Sequence, residues 1–151
     1  MPNIIDLLTK HEARRHLLYD DATGKPITKG STVIGNPTIG VGRCLTTNPL
    51  TDNEIDYLLT NDIKTFTSGL KKRIPWFEEL NEARRAVLTS LAFQRGIGGL
   101  FKHHRTMIDL LQQKEYLNAA NDLRNSAYGQ AFQSRARDLA NMLEKGEFVE
   151  I

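Results

Sequence analysis

Apolar residues recur at helical spacing at the start of the chain, at Ile4, Ile5, Leu7 and Leu8, and the pattern fails at about Arg15, which predicts a short opening helix. From Leu17 to about Arg43 the texture changes to Gly, Thr and Pro with β-branched residues between turn signals such as "DATGK" and "IGNP", which predicts a small antiparallel sheet. "TDNE" then reads as a capping box, Thr51 at the N-cap and Glu54 three residues on, opening a helix to about Lys72 through Ile55, Leu58, Leu59, Ile63 and Phe66. Further helices are predicted from Glu82 to Gln94, stopped by "GIGG", and at about 101–113, 115–123 and 130–145, the last ended by Gly146. The expected fold class is α+β: a small N-terminal antiparallel sheet, otherwise helices, with a long helix connecting two lobes. Residues 1–151 are expected to form a single domain, with a small β lobe at about 16–50, the connecting helix at about 51–72, and a helical lobe at about 73–151 that also takes the N-terminal helix.

Composition adds limits. With 40% hydrophobic and 25% charged residues the chain can fold around a proper core, and no low-complexity tract suggests disorder. A net charge of +2 is too slight to make nucleic acid the leading partner. Cys44 is the only cysteine, so neither an intrachain disulfide nor a cysteine-rich metal site is available, and it reads as a small semi-buried thiol. His103 and His104 are adjacent on a helix start and diverge around it, a poor arrangement for one metal, so no metal and no cofactor are expected.

"HEARRHLLYDD", residues 11–21, holds the first candidate chemistry. Ile5, Leu8 and Glu12 lie at i, i+3 and i+7, which puts a carboxylate on the stripe that should face the core. Burial and the helix macrodipole would both favour the protonated acid that general acid catalysis needs, although a surface Glu on a frayed last turn is the commoner case. With period two, Leu17, Tyr19 and Asp21 share one face of a strand and Leu18 and Asp20 the other, so one of the two aspartates is expected to be ordinary surface. In "PTIGVGR" the same alternation leaves Thr38, Gly40 and Gly42 on a face that is bare except for one hydroxyl. That face is either room for a ligand or a glycine-rich edge.

Glu12, then Tyr19 and Asp21, then "TIGVG" with Thr38 resembles the catalytic Glu, Asp and Thr of the T-even phage lysozyme family, the phage endolysins of glycoside hydrolase family 24. The likeness continues in order through "LTDNEIDYLLTNDI", "ARRAVLTSLAFQRG", "LLQQKEYLNAANDL" and "YGQAFQSRA". The resemblance implies a muramidase that hydrolyses the β-1,4 bond between N-acetylmuramic acid and N-acetylglucosamine in peptidoglycan. Glu12 would be the general acid, and Asp21 and Thr38 would hold the attacking water in an inverting arrangement. Arg135 would pair with Glu12, and Phe93 and Gln94 would fall at the back of the cleft, or serve as helix core and cap. Asp20 is then the surface charge. The resemblance further implies accumulation in the host cytoplasm, passage to the periplasmic cell wall after a holin permeabilises the membrane, and a monomer without stable membrane insertion.

The chain departs from the family pattern at several points. Residues 22–37 make its hairpin longer than usual, the stretch after Leu45 is shorter, and Ala13 replaces the usual Gly after the catalytic Glu. Arg43 stands where many relatives have His and is expected to pair with Asp62. Two other functions are open. A lytic transglycosylase would use one Glu and release an anhydro-sugar, and a helical nucleic-acid binder would use "LKKR" and "KHHR", which read more simply as solvated helix ends. The amphipathic stretch 132–145 is expected to cover core rather than touch membrane.

Overall fold

The computed structural model describes residues 1–151 and is mostly helical with one three-stranded antiparallel sheet, the α+β architecture expected. The elements are α1 (Ile4–Glu12), β1 (Arg15–Asp20), β2 (Pro37–Gly40), β3 (Arg43–Cys44), α2 (Asp52–Arg73), α3 (Glu82–His103), α4 (Arg105–Gln112), α5 (Tyr116–Asn125), α6 (Ala127–Ala131) and α7 (Gln133–Lys145), with a 3-10 turn at Phe77–Glu79. The chain divides into two compact units, Met1–Asp56 and Tyr57–Ile151. No helix is long and apolar enough to cross a membrane.

In the first unit, the α1 N-terminus is fixed by a reciprocal capping box. Asn3 Oδ1 accepts from the Ile5 and Asp6 amides, and the Asp6 carboxylate accepts from the Asn3 amide. The helix ends at Ala13, whose φ of 60° and ψ of 167° turn the chain directly into β1. This short helix buries none of its residues, and Ile4, Ile5, Leu7 and Leu8 are exposed. The expected core-facing stripe is therefore open.

The sheet runs in the order β1-β2-β3, with Tyr19 opposite Thr38 and Thr38 opposite Cys44. It is smaller than the texture of residues 17–43 suggests, because 21–36 is almost all loop. "PTIGVGR" is also not one strand. Gly40 and Gly42 both have positive φ, 70° and 64°, so β2 ends at Gly40 and the chain turns before β3. The simple alternation in β1 fails as well, since the register shifts between Arg15 and Tyr19 and the neighbours Tyr19 and Asp20 are both buried.

The second unit is organised around an apolar core fed by every helix within it, including Leu70 of α2, Leu91 and Leu100 of α3, Leu111 of α4, Leu123 of α5 and Leu143 of α7. The stop expected near Gln94 corresponds to Gly96, whose φ of 77° and ψ of 161° kink α3 before it resumes to His103. α7 buries Ala136, Leu139, Ala140, Met142 and Leu143, so it does cover core, and Gly146 ends it in the left-handed conformation.

Candidate active site

Glu12 is the last residue of α1 and is exposed, the commoner of the two cases that the sequence leaves open. Its carboxylate lies against Gly42: a Cβ built on that glycine would be 2.8 Å from Glu12 Oε2. The bare face read from the sequence thus has a tenant, because Gly42 gives Glu12 the space its side chain occupies.

The two aspartates hold the same returning segment, residues 34–36. Asp20 is only 4% exposed, which overturns its assignment as a surface charge. Its Oδ2 accepts from the Ile34 amide at 2.7 Å, and its Oδ1 accepts from the Gly35 and Ala22 amides at 2.9 Å each. The Ile34 amide foremost, with those of Ala22 and Gly35, holds this carboxyl below its ordinary value against the opposing effect of burial. A buried carboxylate satisfied by three amides is a structural pin for a loop that has no apolar core of its own.

Asp21 is exposed and accepts from the Asn36 amide at 2.7 Å and from Asn36 Nδ2 at 3.3 Å. Asn36 in turn accepts, through its carbonyl, the hydroxyl of buried Thr38 at 3.0 Å. Asp21 and Thr38 are therefore linked through one residue. Because the Thr38 hydroxyl donates to that carbonyl, its oxygen keeps lone pairs free to accept from a water. Gly35 is required beside them, since any Cβ there would collide with Asp21 Oδ1. Asn36 escaped the sequence reading, where "IGNP" was only a turn signal; an Asn before Pro beside a candidate strand was the available clue.

Arg43 makes its ion pair with Glu54 rather than with Asp62. Its guanidinium grips both carboxylate oxygens, with Nη2 2.9 Å from Oε1, and Nε donates to the Asn48 carbonyl at 2.9 Å. Glu54 is also the capping-box acid, accepting from the Thr51 amide at 2.9 Å while its own amide donates to Thr51 Oγ1. Arg43 first, then Thr51, brings the Glu54 carboxyl from an ordinary 4.5 to about 2. Stabilisation from this pair is complete above the ordinary value and is lost as pH falls through about 2. Nearby, the Thr46 hydroxyl, 3.1 Å from the Cys44 sulfur, is the main cause that lowers this half-buried thiol to about 7.

The remaining expected residues belong to the second unit. Arg135 donates to Ser90 Oγ at 2.9 Å and to the Ser90 carbonyl at 3.3 Å. Phe93 is 46% exposed, stacks obliquely on Phe66 and lines an apolar cavity of about 530 Å³. Gln94 accepts the Tyr128 hydroxyl at 2.8 Å. No group of three His, Cys, Asp or Glu side chains is placed to hold a metal ion.

Residues 9–139 match the Phage lysozyme family model. The chain belongs to the phage lysozyme family. The matched span contains Glu12, Asp21, Thr38 and Arg135. No curated protein matches the chain. Membership in the phage lysozyme family makes this a peptidoglycan hydrolase of phage type, a glycosidase.

Proposed function

We propose that this phage lysozyme is a muramidase of the T-even type, in glycoside hydrolase family 24, which cleaves the β-1,4 bond between N-acetylmuramic acid and N-acetylglucosamine with inversion. The observation that supports this reading is the hydrogen-bonded link from Asp21 through Asn36 to Thr38, which ties a carboxylate and a hydroxyl to one residue; in this proposal the two are the acceptors for a single water. Glu12, beside Gly42, gives its proton to the leaving glycosidic oxygen as the C–O bond breaks. Water attacks the anomeric carbon from the opposite face and passes a proton to Asp21. Solvent exchange then returns Glu12 to the acid and Asp21 to the carboxylate. In the cell, the enzyme accumulates in the host cytoplasm and reaches the wall when a holin opens the membrane.

The test is clearing of permeabilised Gram-negative cells by wild type and by Glu12→Gln, with products weighed by mass spectrometry. Loss of the proton should slow clearing by about 10²- to 10⁴-fold. Clearing by the Gln variant at the wild-type rate would refute the assignment, and 1,6-anhydromuramyl products would replace the hydrolase with a transglycosylase.

A further inference from the structure

The basic clusters 70–73 and 102–105 are separate in sequence, yet one arginine from each is brought to the same aromatic ring. Arg73 Cζ lies 3.8 Å from the Phe101 centroid and Arg105 Cζ lies 5.8 Å from it. Together with Trp76, Asp109 and Gln112 they line a cleft of about 480 Å³. Neither arginine takes part in any of the three ion pairs of the chain. Stacking on a ring orients a guanidinium while leaving its N–H edge open, the geometry that suits a phosphate. Two cations also match a phosphate monoester, which carries about −1.5 to −2 at neutral pH, better than they match a single carboxylate. Asp109 would repel a second anion but accept from hydroxyls, so the ligand must carry its charge at one end and hydroxyls at the other.

We propose that this cleft binds a phosphorylated sugar, its phosphate held between Arg73 and Arg105, one sugar face against the Trp76 indole, and its hydroxyls on Asp109 and Gln112. A concave site with an apolar wall and a few convergent polar groups is the usual form of a small-ligand site. None of these residues belongs to the proposed catalytic set, so the site stands or falls separately from that mechanism. The same chemistry occurs in a free sugar phosphate and in the phosphorylated glucosamine headgroup of an envelope lipid.

Trp76 is the only tryptophan, so its fluorescence reports the cleft directly. Titrating the full chain with glucosamine 1-phosphate should give a saturable change. Glucosamine alone and inorganic phosphate alone should bind at least about tenfold more weakly, and Arg105→Gln or Arg73→Gln should each lower affinity by about tenfold with unchanged circular dichroism. Arg73→Lys, which keeps the charge and loses the fork, should fall between. Co-sedimentation with vesicles carrying a phosphorylated glucosamine lipid, abolished in Arg105→Gln, would support the headgroup as the source. Binding confined to the soluble sugar phosphate would support the free form. No fluorescence change with glucosamine 1-phosphate, inorganic phosphate binding as tightly as the sugar phosphate, or affinity unmoved by both Gln variants would overturn the proposal.

Discussion

In residues 57–151 the buried side chains are aliphatic and aromatic with one exception, His104, whereas in residues 1–56 Tyr19 is the only buried apolar side chain and its companions are Asp20 and Thr38. The helical unit is held by burial, which is non-directional and tolerates small displacements. The hairpin unit is held by hydrogen bonds that the amides of 22, 34, 35 and 36 donate to the carboxylates of Asp20 and Asp21, and such bonds are directional. A water-holding pair needs fixed angles more than it needs bulk, and the candidate catalytic residues Glu12, Asp21 and Thr38 all lie in the directional unit.

The contrast is broken most severely from the apolar side. Leu91→Ala, at a position with no solvent exposure, should lower stability by about 3 kcal/mol in thermal or denaturant unfolding, while exposed Leu17→Ala should change it by less than about 0.5 kcal/mol. Comparable losses for the two variants would mean that the units do not differ as described.

His104 tests the same unit by pH. It is 1% exposed, both ring nitrogens lack partners, and Tyr128 packs edge-on against it. Burial first, then the charges of Arg95 and His103, takes its pKa from 6.5 to about 4. Between those values the unfolded chain binds a proton that the folded chain refuses, so stability should fall as pH drops from 6.5 to 4, by up to about 3 kcal/mol. His104→Leu should remove that slope, and an unchanged slope in the variant would assign it to other groups.

From the polar side, Asp20→Asn keeps the shape but weakens the pin. Amide exchange at Ile34 and Gly35 should speed up, and wall clearing should fall by about a hundredfold, because Asn36 and hence Asp21 and Thr38 lose their register. Asp20→Asn clearing walls at the wild-type rate would separate the pin from the site. A surface Asp20 would make Asp21→Ala far more damaging than Asp20→Ala; with Asp20 buried under three amides, both should be severe, Asp21→Ala with normal exchange at Ile34.

The smallest effect is expected at Ala13, whose positive φ with extended ψ belongs to a region that Gly occupies without strain. Ala13→Gly should raise stability by about 1 kcal/mol after the extra chain entropy of glycine is counted, and a loss would argue against strain at this turn.

What could be read in advance follows the same division. The capping box at Thr51 and Glu54, the stop at Gly146 and the helical course of α2 and α7 were legible because caps and apolar periodicity are local in sequence. The family likeness also came from the sequence, since its motifs are collinear. The pin from Asp20 to Ile34 and Gly35, the role of Asn36 and the pairing of Arg43 with Glu54 were not legible. Each joins residues 11 to 15 positions apart across a loop whose path no periodicity encodes. The open stripe of α1 was missed because amphipathicity identifies an apolar face without saying what covers it.

The stereochemistry of the first product tests the central claim most directly. Proton NMR of a peptidoglycan fragment during the first turnovers should show the α-anomer at the new reducing end, as single displacement by a water held at Asp21 and Thr38 requires. An initial β-anomer, which marks a covalent intermediate, or an anhydro-sugar with no reducing end, would contradict it.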